Sequence, residues 1–344
     1  MPLKQIAFMF FISVLLVVAA CGGGETEPTA AGDAEFTIRN PIIVSEDNFV
    51  AITMKKFKEL VEEKSEGRIV VENYYNGTLG ASDEEALQLV FDGNAEIFGM
   101  SSFVGAQATN VDALNIFDVP FLFEDRNEFY EFVHSPIAEE IFQSFEEETN
   151  TKIFGAYDIG YYGILNNTHP IEEPSDLQGL TLRTPQSSMY MDLVEVLGGN
   201  PSPITQAEVY SALQQGTIDG LMTTLPLMHD YQYHELGKFI TETAHSYVPY
   251  VMTMNGDFYH HLPPELQEAV EEAAEEMIDW SIKYVEEEEA EAMKKMEEDG
   301  SEVISLTPDQ RELFFEAVQP AIEKNIESVG EDTYQQVLDW LEEK

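Results

Sequence analysis

An α/β fold built as two lobes is the architecture this sequence predicts, and three observations carry the prediction. Strand-like and helix-like stretches alternate from Glu35 onward. The first of them, a strand at 35–43, a helix at 49–64 and a strand at 68–75, compose a β-α-β unit, which favours parallel strands joined by a right-handed crossover. Finally, 344 residues of which 44% are hydrophobic suffice for two cores rather than one.

Ahead of that unit the chain carries Lys4, an apolar run from Ile6 to Ala20, Cys21 and a Gly-rich stretch, the pattern of a secretory signal with a short positive region. A run of about 15 residues falls short of the roughly 20 that a membrane span needs. Val18-Ala19-Ala20-Cys21 looks like a bacterial lipobox, in which Cys21 becomes the lipid-bearing N-terminus; a plain signal peptide with a chance cysteine is the alternative. Residues 1–20 are thus expected to be a lipoprotein signal peptide and 21–34 a flexible tether. Cys21 is the only cysteine, which excludes an internal disulfide framework and a Cys-rich metal site.

Asn48 and the residues before it can cap the helix from Phe49 to Lys64, whose Met54, Phe57 and Leu60-Val61 share one face. Arg68–Tyr75 reads as a strand closed by Asn76-Gly77, Asp83–Phe91 as a helix ended by Gly93, and Ala95–Gly99 as a short buried strand running into Ser101-Ser102-Phe103. Val119–Phe123 is an apolar block at the core edge, and 127–149 a single acid-faced helix. Lys152–Tyr157 is a strand leading through Gly160-Tyr161-Tyr162-Gly163 to extended Ile164–Asn167, and here the chain is expected to cross into a second lobe. Pro174–Leu177 forms a helical turn, Ser188–Leu197 a helix stopped by Gly198-Gly199, Asn200–Pro203 an extended linker, Ala207–Gln215 a helix ended by Gly216, and 217–222 the start of a strand. Tyr247–Asn255 is a strand returning to the first lobe. Pro263-Pro264 then opens a long helix with a core stripe of Leu266, Val270, Ala273, Met277, Trp280 and Tyr284, its Glu286–Glu289 read as a solvated face. Together these place lobe I at 35–158, lobe II at 159–246, a return to lobe I at 247–285, and lobe II with C-terminal helices at 286–344.

Charge narrows the function. A net charge of −48, from 17 Lys and Arg against 65 Asp and Glu, leaves no basic stripe for nucleic acid and disfavours an anionic membrane surface. Gly-x-Ser-x-Gly, His-Glu-x-x-His, phosphate-loop and Gly-x-Gly-x-x-Gly signatures are absent from the mature chain, so no enzyme, cofactor or metal is expected. Against this acidity, Arg183 in Gly179-Leu180-Thr181-Leu182-Arg183-Thr184-Pro185-Gln186 stands at the end of a short apolar and β-branched run stopped by a proline. Backbone would aim such an arginine, making it a candidate anion anchor. The competing reading is a surface arginine paired with one of the many carboxylates.

The motifs around Arg183 favour the anchor. Gly179 to Pro185, then Gly199-Asn200-Pro201-Ser202-Pro203, then Glu208-Val209-Tyr210-Ser211-Ala212-Leu213-Gln214-Gln215-Gly216-Thr217-Ile218-Asp219-Gly220, resemble the core signature of TRAP-type solute-binding proteins of the DctP kind. Gly67-Arg68-Ile69, Asn76–Gly80, Val119–Phe123 and 170–180 add to the resemblance, which covers roughly residues 36 to 335. It implies a type II periplasmic-binding-protein-like fold, lobes joined by crossing strands and a long helix, and a solute enclosed when the lobes close. It also implies that Arg183 pairs with the solute's carboxylate, with Gln186 a polar position three residues on.

Two departures bear on the solute. Where many members carry a Gly-Phe-Arg-like segment this chain has Gly160-Tyr161-Tyr162, so Tyr162 replaces a second cation; where many have Asp-Gly-Gln-Glu-Asn-Pro it has Asp219-Gly220-Leu221-Met222-Thr223-Thr224, placing Thr223 at the asparagine. A less charged pocket favours a monocarboxylate over a dicarboxylate. Strand-end position, combined with the layout the resemblance implies, adds Asn48, Phe49, Ser82, Ser101, Ser102 and Phe103 to the expected ligand-binding residues, since ligands collect at carboxyl ends of strands in open α/β sheets. Glu208 and Tyr210 are expected to hold the lobes and hinge. The expected partners are a small-molecule carboxylate, the small and large TRAP membrane subunits, and the membrane through the N-terminal lipid, all outside the cytoplasm. A sensory binding protein of the same fold is the alternative, and a secreted hydrolase a remote one.

Overall fold

The computed structural model describes residues 34–344. The expected signal peptide, the lipid-bearing Cys21 and nearly all of the tether lie outside the described residues.

Strand β1 (Phe36–Pro41) leads to α1 (Phe49–Lys64), β2 (Ile69–Tyr74), α2 (Asp83–Phe91), β3 (Ile97–Ser101) and α3 (Ser102–Ala108). β1 and β2 pair in parallel, as the β-α-β pattern requires. The region continues with α4 (Arg126–Val133) and α5 (Pro136–Thr149), two helices where one was expected. Ser135 caps the second by accepting from the Ala138 amide, and Pro136, unable to donate inside a helix, starts it at the first position.

Next comes β4 (Thr151–Asn166), the longest strand, which serves two sheets. Its first part, through Tyr161, pairs antiparallel with the strand at 247–255; from Tyr162 on its partners are the strands at 220–224 and 239–242. The change of partner follows a register shift between Asp158 and Tyr161, where Gly160 takes φ +102°. That left-handed conformation belongs to glycine, and a Cβ here would sit 2.9 Å from Glu289 Oε1.

The second region holds β5 (Thr181–Thr184), α6 (Ser188–Val196), β6 (Asn200–Pro203), α7 (Gln206–Gln215), β7 (Gly220–Thr224), α8 (Leu225–Asp230) and β8 (Phe239–Glu242). The chain returns through β9 (Tyr247–Asn255), α9 (Gly256–His261) and α10 (Pro264–Glu298), then ends with β10 (Glu302–Ser305), α11 (Pro308–Val329) and α12 (Glu331–Glu342). The order β10-β8-β4-β7-β5-β6 forms one sheet and β3-β9-β4 a second that shares β4 with it, while β1 and β2 make a separate two-stranded sheet beside them. The stretch expected to be a linker, 200–203, is β6: an edge strand parallel to β5, where Pro201 and Pro203 cost little because one side of the strand has no partner.

One apolar core runs continuously beneath both sheets, and a smaller cluster of Leu165, Val209, Leu213, Leu221, Met228 and Met296 closes the far side of the second. The two cores expected from length are therefore unequal. α10 packs against α1 near its start and against α8 and β10 farther on, so it spans both regions. Its buried stripe includes Leu266, Val270, Ala273 and Met277 as expected, then passes to Ile278, Ser281 and Val285; Trp280 and Tyr284 are half-buried and stack on each other with centroids 4.5 Å apart. Glu289 is no solvated residue. It is 4% exposed and paired with Arg126.

Candidate ligand-binding site

Between the two sheets lies a cavity of about 230 Å³. From the first region it takes the loop after β1, the first turn of α1, residues 81–84 around the start of α2, and the junction of β3 and α3. From the second come β5 and the residues after it, the start of α7, Thr223 on β7, and Leu227 and Tyr231; Ile159 and Tyr162 of β4 with Val248 and Tyr250 of β9 complete it. Two hydrogen bonds bridge the regions at its rim, Gln107 Nε2 to the Gln186 carbonyl at 2.7 Å and the Phe49 amide to Asp230 Oδ2 at 3.3 Å. Larger surface hollows near His134 offer carboxylates and Lys152, which is already paired with Glu146.

Arg183 is the electrostatic centre. β5 lies between β6 and β7, with Arg183 in register with Ser202 and Leu221, so backbone pairing on both sides holds its Cα. Leu182 packs into the core and Pro185 ends the strand. The side chain is only 6% exposed, and its Nε donates to the Ile204 carbonyl at 3.1 Å. Among the described residues no carboxylate pairs with it, which leaves the terminal nitrogens uncommitted at the cavity wall. Burial lowers its pKa from the usual value, with Tyr162, Tyr233, Tyr231 and Asp83 opposing the shift. A buried, unpaired guanidinium is costly unless an anion satisfies it.

Seven of the ten expected ligand-binding residues line this cavity: Arg183, Gln186, Tyr162, Thr223, Ser101, Phe103 and Ser82. Tyr162 is 5% exposed and fixed edge-on to Tyr190 at 5.0 Å, and burial raises its phenol pKa, keeping it neutral. The Ser101 hydroxyl is buried without a partner among the described residues, an orphan that a ligand or water would satisfy. Ser82 also caps α2 by accepting from the Glu85 amide.

Three of the expected residues, Asn48, Phe49 and Ser102, do not line the cavity. Asn48 turns its side chain to the Val50 amide as the cap of α1, and Phe49, 2% exposed, is committed to the core. Ser102 points away from the cavity to donate to Asp118 Oδ1 at 3.1 Å. Glu208 caps α7, accepting from the Thr205 amide and hydroxyl, while Tyr210 packs against the smaller core. Asp83, Tyr231 and Tyr250 are cavity residues that sequence reasoning missed; the only signal for Asp83 was its place beside Ser82 after a strand.

Asp118 makes a prediction of its own. It is 1% exposed and accepts from Ser102 and Tyr190 on Oδ1, while Oδ2 has no partner among the described residues. Burial pushes its carboxyl up to about 7, against the two hydrogen bonds. A raised pKa means that the folded state binds the proton more tightly, so this contribution to stability is full in acid, below the ordinary carboxyl value, and is lost as pH rises through about 7. Asp118→Asn should lack that loss: relative to wild type, denaturation midpoints should show the variant gaining roughly 1–3 kcal/mol between pH 4 and pH 8.

The chain is similar to known proteins over most of its length. The DctP family model, bacterial extracellular solute-binding protein family 7, matches residues 42–328. The 2,3-diketo-L-gulonate-binding periplasmic protein of Escherichia coli K12 is 28% identical over 320 residues, 92% of each chain. A TRAP periplasmic solute-binding protein from a Sulfitobacter species, solved with bound β-D-galacturonate, superposes with a TM-score of 0.80 at 29% identity over 88% of this chain and 98% of its own. One from Sulfurospirillum deleyianum, solved with bound succinate, does so with a TM-score of 0.80 at 25% identity over 89% and 99%. The match spans most of the chain and includes the segments that build the cavity, so the chain belongs to the DctP family of TRAP-type extracellular solute-binding proteins.

Proposed function

We propose that this protein captures a small organic carboxylate, a monocarboxylate rather than a dicarboxylate, through Arg183 and delivers it to a TRAP-type membrane permease. The observation that carries the reading is the 6%-exposed Arg183 guanidinium at the cavity wall without a carboxylate of its own. A planar guanidinium offers two parallel hydrogen bonds to a carboxylate. Tyr162 in place of a second cation leaves one such anchor, and Thr223 and Ser101 add neutral polar contacts. The extracytoplasmic location is that of the family; anchoring through a lipid on Cys21 is part of the proposal. No helix of the described residues is long and apolar enough to cross a membrane.

A thermal-shift screen of organic acids tests this. A ligand at 100 times its dissociation constant stabilises by about 2.7 kcal/mol, enough to raise the melting temperature by several degrees. Monocarboxylates are expected to dominate the hits. Tight succinate binding with no monocarboxylate response would refute the preference.

A further inference from the structure

Resting on the reading of Arg183 as carboxylate anchor, we infer that Asp83 is a specificity-determining residue of the same cavity, selecting a solute that carries a hydrogen-bond donor, hydroxyl or ammonium, at the end remote from its carboxylate.

Asp83 is the first residue of α2, and the capping hydrogen bond of Ser82 fixes the turn on which it sits. Its carboxyl lines the cavity with no hydrogen bond or ion pair to a described residue. Arg183 lines the same cavity with its terminal nitrogens uncommitted and only its Nε bonded, to the Ile204 carbonyl, and the two charges form no ion pair with each other. The walls around them are largely apolar or aromatic, with Phe103, Tyr162, Tyr231 and Tyr250 among them. Burial pushes the Asp83 carboxyl up to about 7; neighbouring Glu84 adds to the rise and Arg183 opposes it.

Two opposite charges, both partly stripped of water and neither neutralising the other, define a bipolar cavity. A carboxylate satisfies Arg183. At the Asp83 end a methyl group would leave an acceptor unpaired, and a second carboxylate would meet a like charge, which excludes diacids by repulsion. A hydroxyl or an ammonium satisfies the site completely. At about 230 Å³ the cavity lies below the ~300–1,000 Å³ of drug-sized pockets, which limits the solute to a short chain or single ring.

The test is calorimetric titration of the full mature chain at pH 8 with two series matched in length: butanoate, 4-hydroxybutanoate, 4-aminobutanoate and succinate, then hexanoate, 6-hydroxyhexanoate, 6-aminohexanoate and adipate. Wild type is compared with Asp83→Asn, Asp83→Ala and Arg183→Ala, each checked for native circular dichroism and melting temperature. The donor-terminated acid of a series should bind at least tenfold tighter than the methyl-terminated one, with the diacid weakest, and Asp83→Asn should improve diacid binding at least tenfold. Preference for the amino acid, lost in both Asp83 variants, identifies an ammonium; preference for the hydroxy acid, retained within a few-fold by Asp83→Asn but not by Asp83→Ala, identifies a hydroxyl. Equal binding of methyl- and donor-terminated acids, or a diacid preference unchanged in both Asp83 variants, would overturn the assignment while leaving Arg183 as anchor. If no acid binds, or Arg183→Ala binds every acid as wild type does, the anchor reading fails and this one with it.

Discussion

Arg183→Ala is expected to weaken binding of the solute's carboxylate by about 2–5 kcal/mol, which is about 30-fold to a few thousand-fold in dissociation constant, when measured by calorimetry. The size follows from enclosure. An exposed ion pair contributes at most about 1 kcal/mol, but a guanidinium stripped of water and pre-aimed by a strand pays its desolvation cost in the empty protein and recovers it when the anion arrives. For the same reason the empty variant should unfold at no lower temperature than wild type, because the substitution removes a buried charge that burial already disfavours. Arg183→Lys should lose a large part of the affinity too, since an ammonium cannot supply the parallel pair. A variant that binds like wild type would move the site elsewhere.

The second large effect concerns stability, at the point where β4 passes from one sheet to the other. Arg126 Nε donates to Asp158 Oδ2 at 2.9 Å and its Nη2 to both Glu289 oxygens at 2.9 Å. The two carboxylates in turn hold backbone: Asp158 Oδ1 accepts from the Gly160 amide at 2.8 Å and Glu289 Oε1 from the Tyr161 amide at 3.0 Å. One cation thus joins α4, the register shift of β4 and α10. Two buried carboxylates outnumber one guanidinium, and Glu289 shows it: burial pushes its carboxyl up to about 7, with Arg126 opposing and Asp158 reinforcing. Arg126→Met would leave both acids buried and unpaired, so a loss of about 3–5 kcal/mol is expected in guanidinium denaturation. The triple variant Arg126→Met, Asp158→Asn, Glu289→Gln should recover part of it, because neutral amides cost less to bury. A loss below 1 kcal/mol for Arg126→Met would show the cluster to be incidental.

Legibility in the sequence depended on whether a feature was local. α1, α2 and β9 have the ends read for them, since a capping side chain or a β-rich run carries its own signal. The break at Ser135-Pro136 was equally local, and the continuous acid pattern on either side obscured it. β6, β8 and β10 are four-residue strands whose hydrogen bonds all go to residues distant in sequence, and nothing within four residues announces that. Glu289 was read as solvated because its neighbours 286–288 are also acids; only the approach of Arg126, 163 residues earlier, distinguishes it.

The site divides in the same way. Arg183 stood out because a cation is rare in this chain and a proline stops its strand, and Ser82, Ser101 and Phe103 followed from strand-end position. Asn48 and Phe49 shared that position, but their groups were already used by the cap and core of α1. Tyr231 and Tyr250 enter the cavity only because α8 and β9 are brought together in three dimensions.

A crystal structure of the protein with its highest-affinity carboxylate from the screen tests the central claim most directly. The account predicts the carboxylate bidentate on the Arg183 guanidinium at about 2.7–2.9 Å, with the rest of the solute between Tyr162, Thr223 and Asp83. A carboxylate bound elsewhere, with Arg183 still bare, would contradict it.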